Sequence, residues 1–388
     1  MKYENKDRKE STMVILDVCL DNFYAFKNFH MNLTYPKKIV GSSIRDEHLE
    51  GHPNFRYKKV NIIMGPNASG KTTFGHMLRS IFNFIDRKNY GMITDVICNR
   101  EKKAFFSLDM VFNSNIFYRI ICTITPCVDD RYTMENVKLE IRKVNITPKD
   151  SYESCVKRME SMPYTPTDTC VDELEKLEPL DWFFEYPRDT ERFLHLPDPR
   201  KDKRFRRVLE NILKTLDPSI EMVEESRDVE NAYVIRMQDK SVILQDGERF
   251  TTELLSSGTK AGVEVACVVS SMLQGKYTFY YCDEKFPYIH SDIEKAVLSL
   301  MIDYIRPNSQ LFFTTHNTDI LNMNLPKHSF SFLCKDINNI ECPILCVEAS
   351  KFLKRSTDSL KNAVDNDLFS CAPAVDLIYA IADLEEQE

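Results

Sequence analysis

The spacing of apolar residues changes along the chain, and each spacing predicts a different kind of element. Alternation of apolar and polar residues indicates strands, whereas apolar residues three or four positions apart indicate helices. Strand-like stretches occur within residues 14–33, 105–112, 116–124, 136–144, 220–223 and 233–244. The first stretch is expected to supply two strands that pair near the strand at Val60–Met64. Residues 105–144 predict an antiparallel β layer.

After Leu254 the pattern alternates between helix and strand. Helical spacing covers residues 261–273 and 291–304, and short apolar runs typical of buried strands cover 277–282 and 310–315. Alternation of this kind predicts a parallel sheet with helices packed around it. The expected fold class is therefore α/β, with a mixed or parallel core sheet and a flanking antiparallel layer.

Two stretches lack a regular pattern. Residues 34–57 are polar, with Gly, Ser, His and Pro, and predict an exposed loop. Residues 146–217 are rich in proline and charge, with helical patterns at 172–178, 189–196 and 204–216. We interpret 146–217 as an inserted helical lobe. Within it, the acidic and aromatic segment 172–185 is either a docking segment or part of the core of the lobe.

A glycine-containing loop separates the apolar run Val60–Met64 from a helical pattern that begins near Phe74. Residues 65–72 read G-x-x-x-x-G-K-T, which between a strand and a helix is the pattern of a phosphate-binding P-loop. Backbone N–H groups and the positive end of the helix favour an anion there. Lys71 is expected to contact the β- and γ-phosphates of ATP, and Thr72 to ligate Mg²⁺. The predicted nucleotide-binding residues are Gly65, Pro66, Asn67, Ala68, Ser69, Gly70, Lys71, Thr72 and Thr73.

Polar side chains follow the two later buried strands. Asp283 and Glu284 end the run 277–282, and His316 ends the run 310–315. The carboxyl end of a strand beside the P-loop strand is where Mg²⁺ is held, so Asp283 is predicted to bind the metal. Glu284 is predicted to act as the general base on the attacking water, and His316 to bond the γ-phosphate or that water. The alternatives are a solvated acidic strand end and a histidine that satisfies a local backbone group.

Small residues and hydroxyls precede the helix predicted at 261–273. Ser256, Ser257 and Gly258 at a helix N-terminus predict a second anion-binding cradle. Ordinary helix capping by one of the hydroxyls is the competing interpretation.

Composition restricts the class of protein further. The net charge is −8 and the isoelectric point about 5.6, which disfavours a surface built mainly for nucleic acid. A dense basic run at 200–207 is the one local exception, and is either an interaction surface or a solvated helix face. No apolar run approaches the length of a membrane span, and 12 cysteines without a C-x-x-C pair favour reduced thiols. A cytoplasmic protein without a membrane partner is expected.

Together these motifs resemble an ABC-type ATPase head. Lys71 matches the Walker A loop, Asp283-Glu284 the Walker B strand, His316 the switch histidine, and Leu255–Thr259 the L-S-G-G-Q signature. Leu20–Lys27 resembles the N-F-x-x-F-[KR] start of RecF/SMC-like heads. The resemblance covers roughly residues 13–90 and 240–385, and the expected organisation is an N-terminal half of the head at 13–145, the inserted lobe at 146–217 and a C-terminal half at 218–388. The resemblance also implies a homodimer or higher oligomer that sandwiches ATP and Mg²⁺ and supplies Ser256 and Gly258 in trans.

Finer motifs resemble the OLD/abortive-infection branch of these ATPases. They are S-S-G-T-K at 256–260, D-E-x-x-x-x-x-H at 283–290 and T-T-H-N at 314–317. Septu-, retron- and PARIS-type anti-phage ATPases are the comparisons. The resemblance implies an ATPase that senses a phage-derived trigger and controls an effector, a nuclease or toxin. No acidic Toprim cluster follows His316, so the effector is expected to be a separate polypeptide.

Departures from the family pattern leave alternatives open. The signature has Ser257 and Thr259 where Gly and Gln are usual, and residues 90–237 contain no glutamine for a Q-loop. Hydrolysis is therefore expected to be slow or gated. The alternatives are a RecF-like repair ATPase that binds DNA, which the acidic charge disfavours, and a nucleotide-binding switch with little hydrolysis.

Overall fold

The structure is a computed structural model that describes residues 12–113, 115–127, 131–164, 169–186, 194–248, 254–284, 286, 289–336, 338–355, 358–369, 376–379 and 381. Its strands in chain order are β1 Met13–Asp21, β2 Phe29–Asn32, β3 His48–Leu49, β4 His52–Arg56, β5 Val60–Met64, β6 Ala104–Phe112, β7 Ile116–Ile124, β8 Val137–Asn145, β9 Trp182–Glu185, β10 Ile220–Glu225, β11 Ala232–Met237, β12 Ser241–Gln245, β13 Phe279–Asp283, β14 Gln310–Thr314, β15 Phe330–Lys335 and β16 Ile344–Glu348.

The α-helices are α1 Lys71–Arg87, α2 Gly91–Thr94, α3 Tyr152–Glu160, α4 Cys170–Leu174, α5 Phe205–Leu216, α6 Ser257–Gln274, α7 Ser291–Tyr304, α8 Ala349–Phe352, α9 Leu360–Asp365 and α10 Asp376–Tyr379. Short 3₁₀ segments lie at Met134–Asn136, Thr318–Asn322 and Lys327–Ser329. The α/β fold class predicted from the spacing of apolar residues is confirmed.

A six-stranded sheet forms the centre of the fold, in the order β16-β15-β5-β14-β13-β9. All its neighbouring strands pair in parallel except the edge strand β16, which runs antiparallel to β15. Every residue of β5, β13 and β14 is buried, because both faces of the sheet are covered and most of the strand residues are apolar or aromatic. The parallel sheet predicted for the C-terminal part of the chain is confirmed.

A five-stranded antiparallel sheet, in the order β2-β1-β6-β7-β8, packs over α1. A register shift between Ile15 and Asp17 in β1 moves apolar side chains from one face to the other, so Val14 and Leu16 join a different core from Val18 and Leu20. The predicted antiparallel layer is confirmed. The two strands predicted within 14–33 are confirmed as β1 and β2, which pair with each other in this sheet and not with the P-loop strand β5.

One buried side chain joins the two large sheets. The Gln310 amide in β14 donates to the carbonyl of Ile15 at 2.9 Å and accepts from the Ile15 amide at 2.7 Å. It also donates to the carbonyl of Lys58 at 3.2 Å. A buried amide that is satisfied on both ends favours one relative position of the strands.

The stretch predicted as an exposed loop, 34–57, contains the hairpin β3-β4. Leu49, Phe55 and Tyr57 are buried there against Cys155 and Met159 of α3. The loop prediction is wrong in this part because isolated buried residues among polar ones leave no periodic pattern. Similarly, 233–244 is not one strand but two, β11 and β12, since alternation continues across the intervening turn.

Residues 146–217 are only partly helical. The helices α3, α4 and α5 lie in this range, but Trp182–Glu185 forms β9, the edge strand that pairs with β13. The interpretation of 172–185 as a docking segment or lobe core is therefore wrong for its aromatic end, which belongs to the central sheet. The helix predicted at 189–196 falls mostly outside the described residues. The division into 13–145, 146–217 and 218–388 remains a prediction.

The cysteine and membrane predictions have different outcomes. Within the described part of the chain, ten cysteines are free thiols, whereas Cys334 is disulfide-bonded, so the expectation of reduced cysteines is wrong at that position. Among the described helices, none combines the length and the apolar character that a membrane crossing requires.

The small sheet β10-β11-β12 packs with α5 and α6 around one core. Close contact between the two helices depends on Gly262 of α6. A Cβ atom at this position would lie 2.4 Å from Leu216 Cδ1 and 3.1 Å from Leu213 Cδ2. A side chain at this position would therefore require the Leu216 methyl group to move.

We expect Gly262→Ala to destabilise the protein by about 0–2 kcal/mol, because the added methyl overpacks this contact at a cost of about 1–3 kcal/mol, while alanine gains about 1 kcal/mol of helix propensity over glycine. Chemical denaturation would measure the change in free energy of unfolding. In a Leu216→Ala background the same substitution should cost less, since the clashing methyl group is gone. Equal costs in both backgrounds would contradict the packing explanation.

Candidate nucleotide-binding site

At the first position of the loop between β5 and α1, the backbone conformation and the available space allow only glycine. Gly65 has a φ of +148°, and a Cβ there would lie 2.2 Å from the carbonyl oxygen of Leu333. Gly70 has a φ of +103° and caps α1 in a left-handed conformation. The phenyl ring of Phe26, from the opening motif, lies 3.5 Å from where a Gly70 Cβ would be. The loop therefore forms a tight cradle at the N-terminus of α1.

Lys71 lies in this cradle and is buried, with 3% of the residue exposed. Its amine donates to the carbonyls of Gly65 at 2.9 Å and Pro66 at 3.1 Å, and lies 3.3 Å from Glu284 Oε1. Burial lowers the pKa of Lys71 despite the neighbouring Glu284 and Asp283 carboxylates. The positive charge is thus held where the P-loop pattern predicts phosphate.

Asp283 ends β13 and is fully buried. It accepts hydrogen bonds from the hydroxyls of Thr72 at 2.6 Å and Thr314 at 2.5 Å. Burial raises the pKa of Asp283, while these two hydroxyls act in the opposite direction. The residues predicted as metal ligands, Thr72 and Asp283, therefore lie in direct contact across the ends of two elements.

Glu284 lies between Lys71 and His316. Its Oε1 is 2.8 Å from His316 Nε2, and its backbone, with a left-handed φ of +39°, donates N–H to the carbonyl of Thr314 at 3.2 Å and to its hydroxyl at 3.0 Å. Burial alone would raise the pKa of Glu284, but the His316 and Lys71 contacts outweigh it and lower the pKa. The structure therefore brings the three predicted catalytic side chains, Lys71, Glu284 and His316, into one cluster.

Sequence reasoning missed the residues that support this cluster. Tyr281 donates its hydroxyl to the Lys71 carbonyl at 2.7 Å, and its ring occupies the space above Gly75 in α1. Thr314 bonds both Asp283 and the Glu284 backbone. No role is predicted for either residue from the sequence, although Thr314 is the first residue of the T-T-H-N motif, and only the pairing of β13 with β14 brings Thr314 beside Asp283.

The predicted second cradle lies at the start of α6. Ser256 is the N-cap residue, and its hydroxyl accepts from the Thr259 amide at 3.1 Å and lies 2.8 Å from the Thr259 hydroxyl. This is the capping arrangement that was the alternative interpretation. Ser256 and Ser257 are also exposed, and Gly258 is half-buried, so anion binding by these residues remains a prediction.

The residues of the P-loop fit a phosphate and a divalent cation. The Ser69 hydroxyl is buried in the loop without a hydrogen-bond partner among the described residues. The remaining loop residues, Pro66, Asn67, Ala68 and Thr73, are exposed or half-buried around the cradle. The hydroxyl of Thr72 and the carboxylate of Asp283 are hard oxygen donors of the kind that Mg²⁺ requires.

Comparison with solved structures identifies the fold. The head of an SMC protein bound to the C-winged helix domain of ScpA aligns with a TM-score of 0.50 and 14% identity, over 88% of this chain and 99% of that chain. The Pyrococcus furiosus SMC head with an extended coiled coil, bound to the C-terminal domain of ScpA, aligns with a TM-score of 0.50 and 12% identity, over 87% and 97%. No family model matches the sequence, and no curated protein does either. The chain therefore has the fold of an ABC-type ATPase head, as the motifs predicted.

We expect Thr314→Val to raise the pKa of Asp283 further, because it removes a hydroxyl that stabilises the carboxylate. Protons compete with Mg²⁺ for this group, so Mg²⁺-dependent nucleotide binding should be lost as pH falls, and lost at a higher pH in the variant. One hydrogen bond to a charged group corresponds to about one to two pH units. Titration of a fluorescent ATP analogue with Mg²⁺ at several pH values would measure the shift.

Thr278→Val is a matched control for that titration. Thr278 is also a buried threonine, but its hydroxyl donates to the Asp181 carbonyl, outside the Asp283 cluster. An equal shift in both variants would show that the effect does not pass through Asp283.

Proposed function

We propose that this protein is an ABC-type ATPase that binds and hydrolyses ATP, dimerises around it, and controls a separately encoded effector in bacterial anti-phage defence. The observation that carries the ATPase part is the convergence of Lys71, Glu284 and His316 beside the Thr72–Asp283 pair. Positioning and electrostatic stabilisation account for most of the catalysis of phosphoryl transfer. This cluster provides a cation, a carboxylate and an imidazole at the carboxyl ends of neighbouring parallel strands.

Each side chain of the cluster has a distinct part in the proposed reaction. Thr72 and Asp283 would hold Mg²⁺, which offsets charge on the phosphates. Lys71 leaves the carbonyls of Gly65 and Pro66 and the Glu284 carboxylate to contact the β- and γ-phosphates. Glu284, released from Lys71, orients the attacking water and accepts its proton. His316, which bonds Glu284, is within reach of the same water or the γ-phosphate.

Dimerisation is proposed from the exposed start of α6. Ser256, Ser257 and Gly258 present hydroxyls and backbone N–H groups at a helix N-terminus, where an anion is favoured. In the proposed sandwich, this surface of one protomer meets the γ-phosphate bound to the P-loop of its partner. Hydrolysis then weakens the contact between the protomers, so ATP acts as a conformational signal.

Control of an effector is proposed from the motifs at 256–260, 283–290 and 314–317, which resemble the OLD/abortive-infection branch. Both solved neighbours are SMC heads that carry a bound ScpA domain. They support the idea that a head of this fold presents a surface to a second polypeptide. In our proposal the partner is a nuclease or toxin, and a phage-derived component triggers its release or activation.

A RecF-like ATPase that clamps DNA is the second candidate, favoured by the basic run 200–207. Two observations weaken it. Arg200 pairs with Glu230, and Arg206 pairs with Glu210, so part of this charge is neutralised. Asp202, in the same run, is buried and accepts from Ser270 and Gln274 of α6, which gives the segment a structural role.

We expect Lys71→Met to weaken ATP binding by about 100-fold or more, since it removes the buried cation of the cradle. Isothermal titration calorimetry would measure the affinity. Lys59→Met is a matched control, because Lys59 is buried next to β5 but its amine donates to the Arg45 carbonyl. Normal ATP affinity in the Lys71 variant would refute the P-loop assignment.

Glu284→Gln should lower the rate of hydrolysis by about 100- to 10,000-fold, because an amide cannot accept the proton from water. Nucleotide affinity should rise, since the neutral side chain no longer pairs with Lys71. Native mass spectrometry with ATP should then detect a trapped dimer or larger assembly. Glu348→Gln is the control, because Glu348 also pairs with a buried lysine, Lys58 at 2.8 Å, outside the site.

The same measurement distinguishes the candidate functions when the protein is co-expressed with the products of adjacent genes. A complex with a second polypeptide supports control of an effector. A dimer that captures DNA in a salt-sensitive manner supports the RecF-like clamp instead. Undiminished turnover with unchanged mass for Glu284→Gln would reject Glu284 as the base.

A further inference from the structure

Glu294 is a buried carboxylate that none of the motifs includes. It lies in the first turns of α7 with 3% of the residue exposed. A charged group at this depth is costly unless each oxygen has a partner. Its partners therefore indicate what it does.

Both oxygens of Glu294 bind the segment that carries His316. Oε1 accepts from the Thr315 hydroxyl at 2.7 Å, and Oε2 accepts from the Asn317 side-chain amide, also at 2.7 Å. Thr315 and Asn317 are the two residues that flank His316 in the chain. The Asn317 backbone N–H also donates to the Thr315 hydroxyl at 3.0 Å, so the two residues on either side of His316 are bonded to each other as well as to Glu294.

The remaining contacts extend this arrangement to the next element. Ser291, the first residue of α7, accepts from the Asn317 amide at 2.9 Å and donates to Asp319 at 2.8 Å. A cavity of about 410 Å³ lies beside this network and is lined by Glu284, Glu294, His316 and Asn317, among others. The segment 315–317 is thus fixed to α7 on one side, while the His316 ring contacts Glu284 on the other.

We propose that Glu294 is a positioning residue that holds His316 in its orientation toward Glu284. The inference rests on the proposed function, in which His316 and Glu284 act on the water or the γ-phosphate. Glu294 does not touch the reacting atoms, and acts only through Thr315 and Asn317. The oxygen of a glutamine at 294 can still accept from Asn317, but its NH₂ group can only donate to the Thr315 hydroxyl, so the contact with Thr315 is reversed and that hydroxyl loses its acceptor.

The test compares Glu294→Gln with Thr315→Val, which keeps the charge of Glu294 but removes one hydroxyl from the clamp. We expect kcat for ATP hydrolysis to fall about 10- to 100-fold in Thr315→Val, which breaks the contact, and less in Glu294→Gln, which can reverse it, because misplacement of a catalytic group is costly. KM for ATP should stay nearly unchanged. In a His316→Asn background, Glu294→Gln should have no further effect on kcat, since the residue it positions is absent.

A second readout separates this inference from the proposed function. The His316 ring signals in the NMR spectrum, assigned by their loss in His316→Asn, should shift in both Glu294→Gln and Thr315→Val. Asp109→Asn is the control, because Asp109 is equally buried but binds Arg119 and Tyr152 in the antiparallel sheet. It should leave the His316 signals in place.

The outcomes are distinct. One outcome is that the wild type hydrolyses ATP, but the effects of Glu294→Gln and His316→Asn on kcat are additive and the His316 signals do not move. That outcome would overturn the positioning role and leave the ATPase proposal intact. Wild type without hydrolysis, but with His316 signals that shift in both variants, would refute the ATPase proposal and support the positioning role. Signals that shift in Glu294→Gln alone would attribute the effect to lost charge and overturn the clamp.

Discussion

The burial of the Asp283 carboxylate is the constraint on which the site depends. A carboxylate removed from water must be satisfied locally, and its hydrogen bonds come from Thr72 at the start of α1 and Thr314 at the end of β14. These two contacts join the P-loop helix and two neighbouring strands at one point. A shift of α1 relative to the sheet would remove the Thr72 donor and leave Thr314 as the one of these two that remains, so the need to satisfy Asp283 favours the observed position of α1.

In the cluster of Lys71, Glu284 and His316 beside Asp283, opposite charges of the protein are already in contact with one another. Lys71 is bound by two loop carbonyls and by Glu284, and Glu284 is bound by His316. Burial dominates for Lys71, whose pKa is lowered, whereas the paired partners dominate for Glu284, whose pKa is also lowered. In the proposed function, phosphate that enters the cradle would compete with Glu284 for the same amine, so charge would couple nucleotide binding to release of the base.

The larger architecture keeps this cluster rigid. α1 lies between the antiparallel sheet and the central sheet, with Phe74 packed against Phe26 and Phe29 on one side and Gly75 against Tyr281 on the other. Gln310 links β14 to β1, and Glu294 links α7 to the residues around His316. At the start of α6, Thr259 is fully buried and bonds Ser256, so the residue that replaces the usual glutamine of the signature completes a helix cap. Residues predicted to act in the candidate site thus also make contacts that stabilise the fold.

The sequence alone determined the P-loop, the acidic end of β13, His316 and the alternation of helix and strand after Leu254. These features are local, because a short run of residues carries each pattern. Only the tertiary structure decided that Trp182–Glu185 is a strand of the central sheet, that 34–57 contains a buried hairpin, and that Thr314, Tyr281 and Glu294 make hydrogen bonds to residues in or next to the candidate site. Each of these depends on partners distant in the chain. The periodicity of apolar residues indicates which face of an element is buried. It does not indicate which surface packs against that face, or which polar groups there form hydrogen bonds with it.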